Sequence, residues 1–531
     1  MKRVAEVLMS RTTSMQRTAP PGSGDRWIST RNAYLAGCGS RSYLWPSSVL
    51  HMATDPVGLA IGVPPGRLPA EGWDTTPACR AIRHAAERSL LGSSLAGGLS
   101  LAVADHDGVI WAATLGFADI GARREVTAGT LFEIGSISKG FTAALLLQAQ
   151  ETGLVDIDKP LKEYLPWFEV KSRFRPISLR DLMTHTAGIV SGTDFSGESA
   201  FEVWSLRETE ATVEPGTWFH YSNVGYKALG LVLASVHRQA FHDVLRDRLL
   251  RALGMAESES SITHDTRHRL AVGYEPFYDD RAPRREHGLV PATWVETSSA
   301  DGSIAATARD MAAWLRFLIT GGLGESGVRL LGTSSMEEML SPLVESDETG
   351  FSYGLGVYIS HVDGHRYASH GGGMIGYHGH VACDLEEGLG AIVLANGDGP
   401  WQELAFHAVA VLRAERTGSP EPAFTVRSSV QADPVTDDEP DHWALPFVGH
   451  YRTYNPWCSN LRVYWRGGQL WASYAMDDVG HDAPLVRLSD GYYRLGSEER
   501  CPERLRFDTV IDGKAVRVTL SGCALYRTFT P

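Results

Sequence analysis

The chain has 531 residues, of which 43% are hydrophobic and 21% charged, with 14 Trp, 18 Tyr and 17 Phe. That apolar stock fills a large core and excludes a mostly disordered chain. Asp and Glu outnumber Lys and Arg by 63 to 49, a formal charge of -14; such a surface repels phosphate backbones and anionic lipid, so nucleic acid is not an expected partner.

Residues 1–70 are expected to be a tail outside the fold. The first fifty carry seven Lys or Arg against two acids, and residues 18–24 read Thr-Ala-Pro-Pro-Gly-Ser-Gly. Such a stretch reads as a disordered tail, as an over-long start upstream of Met52, or as an organelle transit sequence; it lacks the apolar run of a secretory signal. The expected location is therefore cytoplasmic. No apolar run approaches the ~18 residues of a membrane span. Cys38, Cys79, Cys383, Cys458, Cys501 and Cys523 form no Cys-x-x-Cys pair, so they are expected as small hydrophobes rather than zinc or dithiol ligands.

Residues 75–415 form the first expected domain. Apolar runs at 98–104 and 109–115 flank Asp105-His-Asp-Gly108, the pattern of a β-hairpin. A helix is predicted over 138–152, stopped by Gly153. Helical patterns and long loops continue to about residue 321, and strand signals return at 354–359, 378–382 and 390–394. Strands at both ends with helices between predict one sheet completed by distant segments and interrupted by a helical subdomain. Residues 416–442, with Pro420, Pro422, Pro434 and Pro440, have a linker composition. Short alternating runs rich in Tyr, Trp, Val and Arg over 443–531 predict a small antiparallel barrel or sandwich.

Three segments carry candidate chemistry. In Ser136-Ile-Ser-Lys139 the serine and lysine lie three apart at a helix start, on one face. The helix N-terminus supplies free N–H groups, and a lysine that loses its proton can deprotonate the serine. In Tyr221-Ser-Asn223, ahead of a helical run, a phenol beside an ammonium is expected to be depressed and to act as a base, while Asn223 offers a donor and an acceptor. In His370-Gly371-Gly372-Gly373, on a predicted edge strand, backbone N–H groups stand open to a ligand, and one of them with the Ser136 N–H makes an oxyanion hole. Each segment alone also has a bland reading: a capped helix, a packed ring, a hairpin loop.

The ordered trio Ser136-x-x-Lys139, Tyr221-x-Asn223 and His370-x-Gly372 resembles the serine β-lactamase and penicillin-binding-protein superfamily. It is most similar to the class C-type branch, with its family VIII carboxylesterases, D-aminopeptidases and D-alanyl-D-alanine carboxypeptidases. The resemblance spans roughly residues 80 to 415. It implies an α/β (α+β) fold: an antiparallel sheet flanked by helices, with an all-α subdomain beside it and the site between. Residues 443–531 resemble the small C-terminal antiparallel β-barrel of some members. The resemblance also implies the roles. Ser136 is the nucleophile, Lys139 its proton partner and Tyr221 the general base. Asn223, His370, Gly372 and Gly373 bind substrate, Gly373 through its N–H.

The implied activity is that of a serine hydrolase cleaving esters or amides of small-molecule or peptide-like substrates through an acyl-enzyme, with no cofactor and no metal. His370 stands where β-lactamases carry a lysine. The fixed cation for a β-lactam carboxylate is then missing and β-lactamase activity is at most weak. Two alternatives share the motifs: an acyltransferase using the same acyl-enzyme, and a non-catalytic ligand-binding member of the fold. Other histidines point elsewhere. His378 and His380 alternate on one strand without a carboxylate or cysteine at ligand spacing, and His185 is expected to hold a loop rather than to serve a triad.

Overall fold

Two strands, β1 (Leu95–Asp105) and β2 (Gly108–Asp119), form the hairpin the Asp-Gly turn predicts, closing with Asp105 opposite Gly108. The structure, a computed structural model, describes residues 76–93, 95–192, 198–279, 287–425, 438–474 and 482–528. The expected tail and residues 426–437 of the expected linker lie outside the described residues.

The hairpin is one end of a nine-stranded antiparallel sheet whose other members come from far along the chain. They are β3 (Arg124–Glu125), β4 (Val344–Glu345), β5 (Phe351–Tyr353), β6 (Tyr358–Val362), β7 (His365–Met374), β8 (Tyr377–Asp384) and β9 (Leu389–Asp398). The spatial order is β3-β2-β1-β9-β8-β7-β6-β5-β4. β1 is the seam: it pairs β2 on one side and β9, almost 300 residues later, on the other, with Leu101 opposite Val393. Every residue of β1 from Ala96 to Ala104 is buried, because helices cover both faces of the sheet.

One face is covered by α1 (Pro77–Ser93) and by a late helix, Trp401–Thr417. Ala78, Ile82, Ala85, Ala86, Ser89 and Leu90 are the buried positions of α1, at the spacing of one apolar stripe. The other face holds the larger core. Its axis is α2 (Ser138–Glu151), buried on nearly every side. Against it pack α3 (Asn223–His237) and α4 (Ala308–Ile319), where Trp314 stacks on Phe141 with ring centroids 3.9 Å apart. Helix α4 starts at Thr307, whose hydroxyl accepts the Asp310 N–H, an N-cap of the usual kind.

Two strand expectations shift. The run 354–359 is not one strand: β5 ends at Tyr353, β6 begins at Tyr358, and Gly356 between them has φ +77. Any Cβ on Gly356 would come 2.7 Å from the Lys139 carbonyl oxygen, so the chain turns there to pass close over α2. The predicted edge strand is β7, and it is interior. Its pairing with β6 nevertheless stops at Ser369, opposite Tyr358, while pairing with β8 runs on to Met374. Residues 370–374 thus have one open side, and alternate backbone N–H groups face it.

The C-terminal region is a closed antiparallel barrel of eight strands: β10 (Gly449–Arg452), β11 (Asn460–Arg466), β12 (Gln469–Tyr474), β13 (Ala483–Arg487), β14 (Tyr493–Leu495), β15 (Arg504–Ile511), β16 (Lys514–Leu520) and β17 (Cys523–Arg527). Leu461, Val463 and Trp465 alternate into its core with Leu505, Val518 and Leu525. Closure is stapled by Arg527 on the last strand, which donates to the carbonyls of Pro446 and Val448 and to the Tyr451 hydroxyl at the start of the first. The sequence runs at 461–465 and 516–520 fall on β11 and β16; strands β13, β14 and β17 were not legible as alternating runs. Cys79, Cys383, Cys458 and Cys523 are buried, as small hydrophobes are expected to be. Among the described residues no helix is long and apolar enough to cross a membrane.

Candidate active site

A single 3₁₀ turn, Gly135–Ile137, leads directly into α2. Residues three apart eclipse in such a turn, which sets the Ser136 hydroxyl above the Lys139 amine at 2.9 Å. Gly135 is in the left-handed region, φ +51, and lies against the backbone of Gly373. A side chain there would push β7 away from the turn. The turn has no side-chain cap, so its first N–H groups are without intrahelical partners.

Lys139 is fully buried. Its amine reaches three groups: Ser136 Oγ, Asn223 Oδ1 at 2.8 Å and the Asp301 carbonyl oxygen at 3.0 Å. Burial lowers its pKa to about 7; the Asp301 carboxylate opposes the shift and Lys227 adds to it. The partners then decide where the protons sit. Asn223 Oδ1 and the Asp301 carbonyl can only accept, so they take the two hydrogens of a neutral amine. The remaining lone pair faces the only partner able to donate, the Ser136 hydroxyl. A neutral Lys139 is therefore hydrogen-bonded as a base toward Ser136.

Tyr221 is also at this centre, lining the same cleft as Ser136. The expectation that the lysine depresses its phenol does not hold. Burial raises its pKa well above the ordinary value of 10, and the nearby Ser136 hydroxyl only partly offsets that. The lysine amine lies over the ring, 4.9 Å from its centroid, rather than serving the phenolic oxygen as a counter-ion. Tyr221 is thus a protonated donor, and the group poised near neutral pH is Lys139.

The segment bearing Tyr221 is held from both sides. His220 and Ser222 each donate a backbone N–H to His185, the first to its carbonyl at 2.7 Å and the second to Nδ1 at 3.0 Å. The His185 ring lies against that of Tyr221 at 4.2 Å between centroids. Its pKa falls well below 6.5, chiefly through burial, so it is neutral with its proton on Nε2. His185 holds a loop, as the sequence indicates; its contact with Tyr221 had no signal in the sequence. Ser222 caps α3 by accepting the Gly225 N–H, placing Asn223 as the first helical residue beneath Lys139.

The glycine run makes the opposite wall. Gly371 and Gly373 line a cleft of about 390 Å³ together with Ser136, Tyr221, His370 and Tyr358. Gly372 points the other way, and a Cβ there would run into the Ile134 carbonyl oxygen. Its lack of a side chain permits the close approach of β7 to the Ser136 turn. Asn223 is likewise not among the cleft-lining residues, since its oxygen is committed to Lys139. His370 is buried between the Tyr353 hydroxyl, 3.1 Å from Nε2, and the Gly371 carbonyl, 2.5 Å from Nδ1. Burial, with Lys139 nearby, lowers its pKa to about 3. It is neutral near pH 7, where the sequence reading allowed partial charge.

Two acids unforeseen from sequence, Asp347 and Glu348, line the same cleft and are exposed. Of the other histidines, His380 lines the cleft and is buried and lowered to about 3, while His378 lies half-exposed 3.8 Å from Asp398.

Residues 84–416, well over half of the chain, match the beta-lactamase family model. The chain is similar to a D-aminopeptidase of Brucella anthropi, 29% identical over 321 residues that cover 58% of each protein. It is also similar to penicillin-binding protein 4 of Amycolatopsis lactamdurans, 26% identical over 289 residues, 51% of this chain and 74% of that one. The chain thus spans just over half the length of the D-aminopeptidase it matches. Among solved structures it is similar to the octameric penicillin-binding protein homologue from Pyrococcus abyssi, with TM-score 0.57 and 20% identity over 84% of this chain and 99% of that one. It is also similar to the beta-lactamase/D-alanine carboxypeptidase from Pseudomonas syringae, with TM-score 0.53 and 20% identity over 65% and 100%; at such identity the likeness is one of fold. Family match, fold and the sequence motifs agree: the chain belongs to the beta-lactamase family, within the serine β-lactamase and penicillin-binding-protein superfamily.

Proposed function

We propose that the protein is a serine hydrolase that cleaves ester or amide bonds through an acyl-enzyme on Ser136. The observation that carries this reading is the hydrogen-bond set of Lys139. Its amine is buried, shifted to about 7, and directed by Asn223 and Asp301 at the Ser136 hydroxyl. A base whose pKa matches the working pH is the most effective proton acceptor.

In acylation Ser136 Oγ bonds to the substrate carbonyl carbon as its proton passes to Lys139 Nζ. The oxyanion is met by the N–H of Ser136 and that of Gly373, each worth about 3 kcal/mol in comparable sites. The Lys139 proton then reaches the leaving oxygen or nitrogen, with the Tyr221 phenol as the donor at the cleft, and the bond to the leaving group breaks. Water attacks the ester so formed, its proton passing to Lys139, and Oγ recovers a proton as the acid departs.

The walls favour substrates without a free carboxylate at the reacting end. His370 is neutral, and Asp347 and Glu348 add negative charge at the rim. Esters and amides with a cationic amino group suit that field, consistent with the similarity to a D-aminopeptidase; β-lactam hydrolysis is expected to be at most weak. The test is a panel of p-nitrophenyl esters, D-amino acid amides and a chromogenic cephalosporin, run with wild type and Ser136→Ala. Turnover of esters or amides that vanishes in the variant supports the reading, and turnover retained in the variant refutes it.

A further inference from the structure

The C-terminal barrel meets the hydrolase region beside Tyr221. Glu503, just ahead of strand β15, sends its carboxylate out of the barrel. Oε1 accepts the Ser191 backbone N–H at 2.7 Å and faces His220 Nε2 at 3.1 Å, while Oε2 accepts the Ser521 hydroxyl. The side chains of Glu503 and His220 are only 15% and 18% exposed. His220 adjoins Tyr221 in the chain. Ser191 accepts the Val224 N–H at 3.0 Å, one residue past Asn223. A single carboxylate oxygen therefore ties together the two stretches of backbone that bracket residues 221–223.

The neighbouring contacts are of another kind. Arg504 pairs Glu210 at 3.1 Å and the Arg500 guanidinium lies 5.0 Å above the Trp218 ring. Both are partly exposed and hold the surfaces together without touching residues 220–224. Trp218 in turn stacks on His220, with centroids 5.4 Å apart.

We infer that Glu503 is a positioning residue of the active site: the barrel, through its bonds to His220 and Ser191, fixes the backbone that aims Tyr221 and Asn223 at Ser136 and Lys139. This rests on the hydrolase reading above and extends it, because it makes the barrel part of the catalytic apparatus rather than a packing appendage. Without Glu503 the His220 ring and the Ser191 N–H lose their shared acceptor, and the Tyr221 segment is held from the His185 side alone. A displacement of ~1 Å at a catalytic group costs up to about 10²-fold in rate.

The test compares full-length variants, with active sites titrated by a fluorophosphonate so that rates are per labelled Ser136. Glu503→Ala is expected to lower kcat for a p-nitrophenyl ester about tenfold, with KM changed less than twofold. His220→Ala, which breaks only one of the bonds that Glu503→Ala removes, is expected to lower kcat by part of that amount, and the double variant to be no slower than Glu503→Ala. Glu503→Gln, which keeps an acceptor for Ser191 and a polar partner for His220, restores kcat to within about threefold. Glu210→Ala loosens the same junction through Arg504 and leaves kcat unchanged. If Glu503→Ala fails to fold, the His220→Ala and Glu503→Gln pair decides. Unchanged kcat per labelled site in the Glu503 and His220 variants overturns the inference, as do additive losses or an equal loss in Glu210→Ala. A wild type that neither labels nor turns over overturns the hydrolase reading itself.

Discussion

The candidate catalytic cleft and the barrel junction both bury ionisable side chains, with opposite results. In the cleft desolvation dominates. Lys139 falls to about 7, His370 to about 3, and Tyr221 rises far above 10. At the junction Glu503 is largely buried too, yet bonds from His220, Ser521 and Ser191 outweigh the desolvation and hold its pKa below the ordinary carboxylate value. The difference lies in the partners. Lys139 faces two carbonyl-type acceptors and a hydroxyl, none of them charged, whereas Glu503 faces an imidazole and two donors aimed at its oxygens. Burial with neutral partners favours the uncharged form, which for Lys139 brings the titration near neutral pH; burial with donors keeps the Glu503 carboxylate charged, as a fixed strut.

Breaking the cleft side of this contrast gives the largest effects. Ser136→Ala is expected to lower ester turnover at least ~10⁴-fold with the far-ultraviolet circular dichroism unchanged, because the nucleophile is lost and no packing is. Lys139→Met, similar in volume and without a proton acceptor, is expected to cost ~10³-fold. Fluorophosphonate labelling of Ser136 slows in parallel. Tyr221→Phe keeps the ring against His185 and removes only the phenolic hydroxyl, for a loss of roughly 10²-fold; stopped-flow measurement of acylation separates this from slow product release.

The charge state of Lys139 sharpens the comparison. Its neutral form is the base, and that form is populated above its pKa of about 7. The value of kcat/KM is therefore expected to rise with pH through about 7 and to fall away below it. A rate flat between pH 5 and 8 would place the proton acceptor elsewhere. The smallest effect belongs to the rim. Asp347→Asn with Glu348→Gln is expected to raise KM about threefold for substrates carrying an amino group and to leave neutral esters unaffected, since exposed charges act weakly through water. Added salt is expected to shrink the difference.

The chemical centre was legible because its parts are local. Ser136 and Lys139 share one turn, Tyr221 and Asn223 share one helix start, and the glycines need backbone contact wherever they fall. Sequence order also exposed the split sheet, since strand patterns stand at both ends of residues 75–415. The charge states were not legible, because the surroundings of the buried Tyr221 phenol include Tyr353 and Tyr358, which arrive from a distant segment. Asp301 was missed because it offers Lys139 a backbone carbonyl, which no side-chain motif records. Glu503 had no signal either: it meets its partner His220 across 283 residues. The packing of Gly372 was not legible without strand parity; one step along β7 turns its Cα hydrogens from the cleft to the Ile134 carbonyl.

The central claim is that Ser136 is acylated by way of a lysine that is neutral near pH 7. Intact-mass and peptide-level mass spectrometry of the fluorophosphonate adduct, followed from pH 5 to 9, tests it directly. The account predicts one adduct, on Ser136, forming at a rate that climbs with pH through about 7 and is lost in Lys139→Met. An adduct on another residue, or Ser136 labelling indifferent to both pH and Lys139, would contradict it.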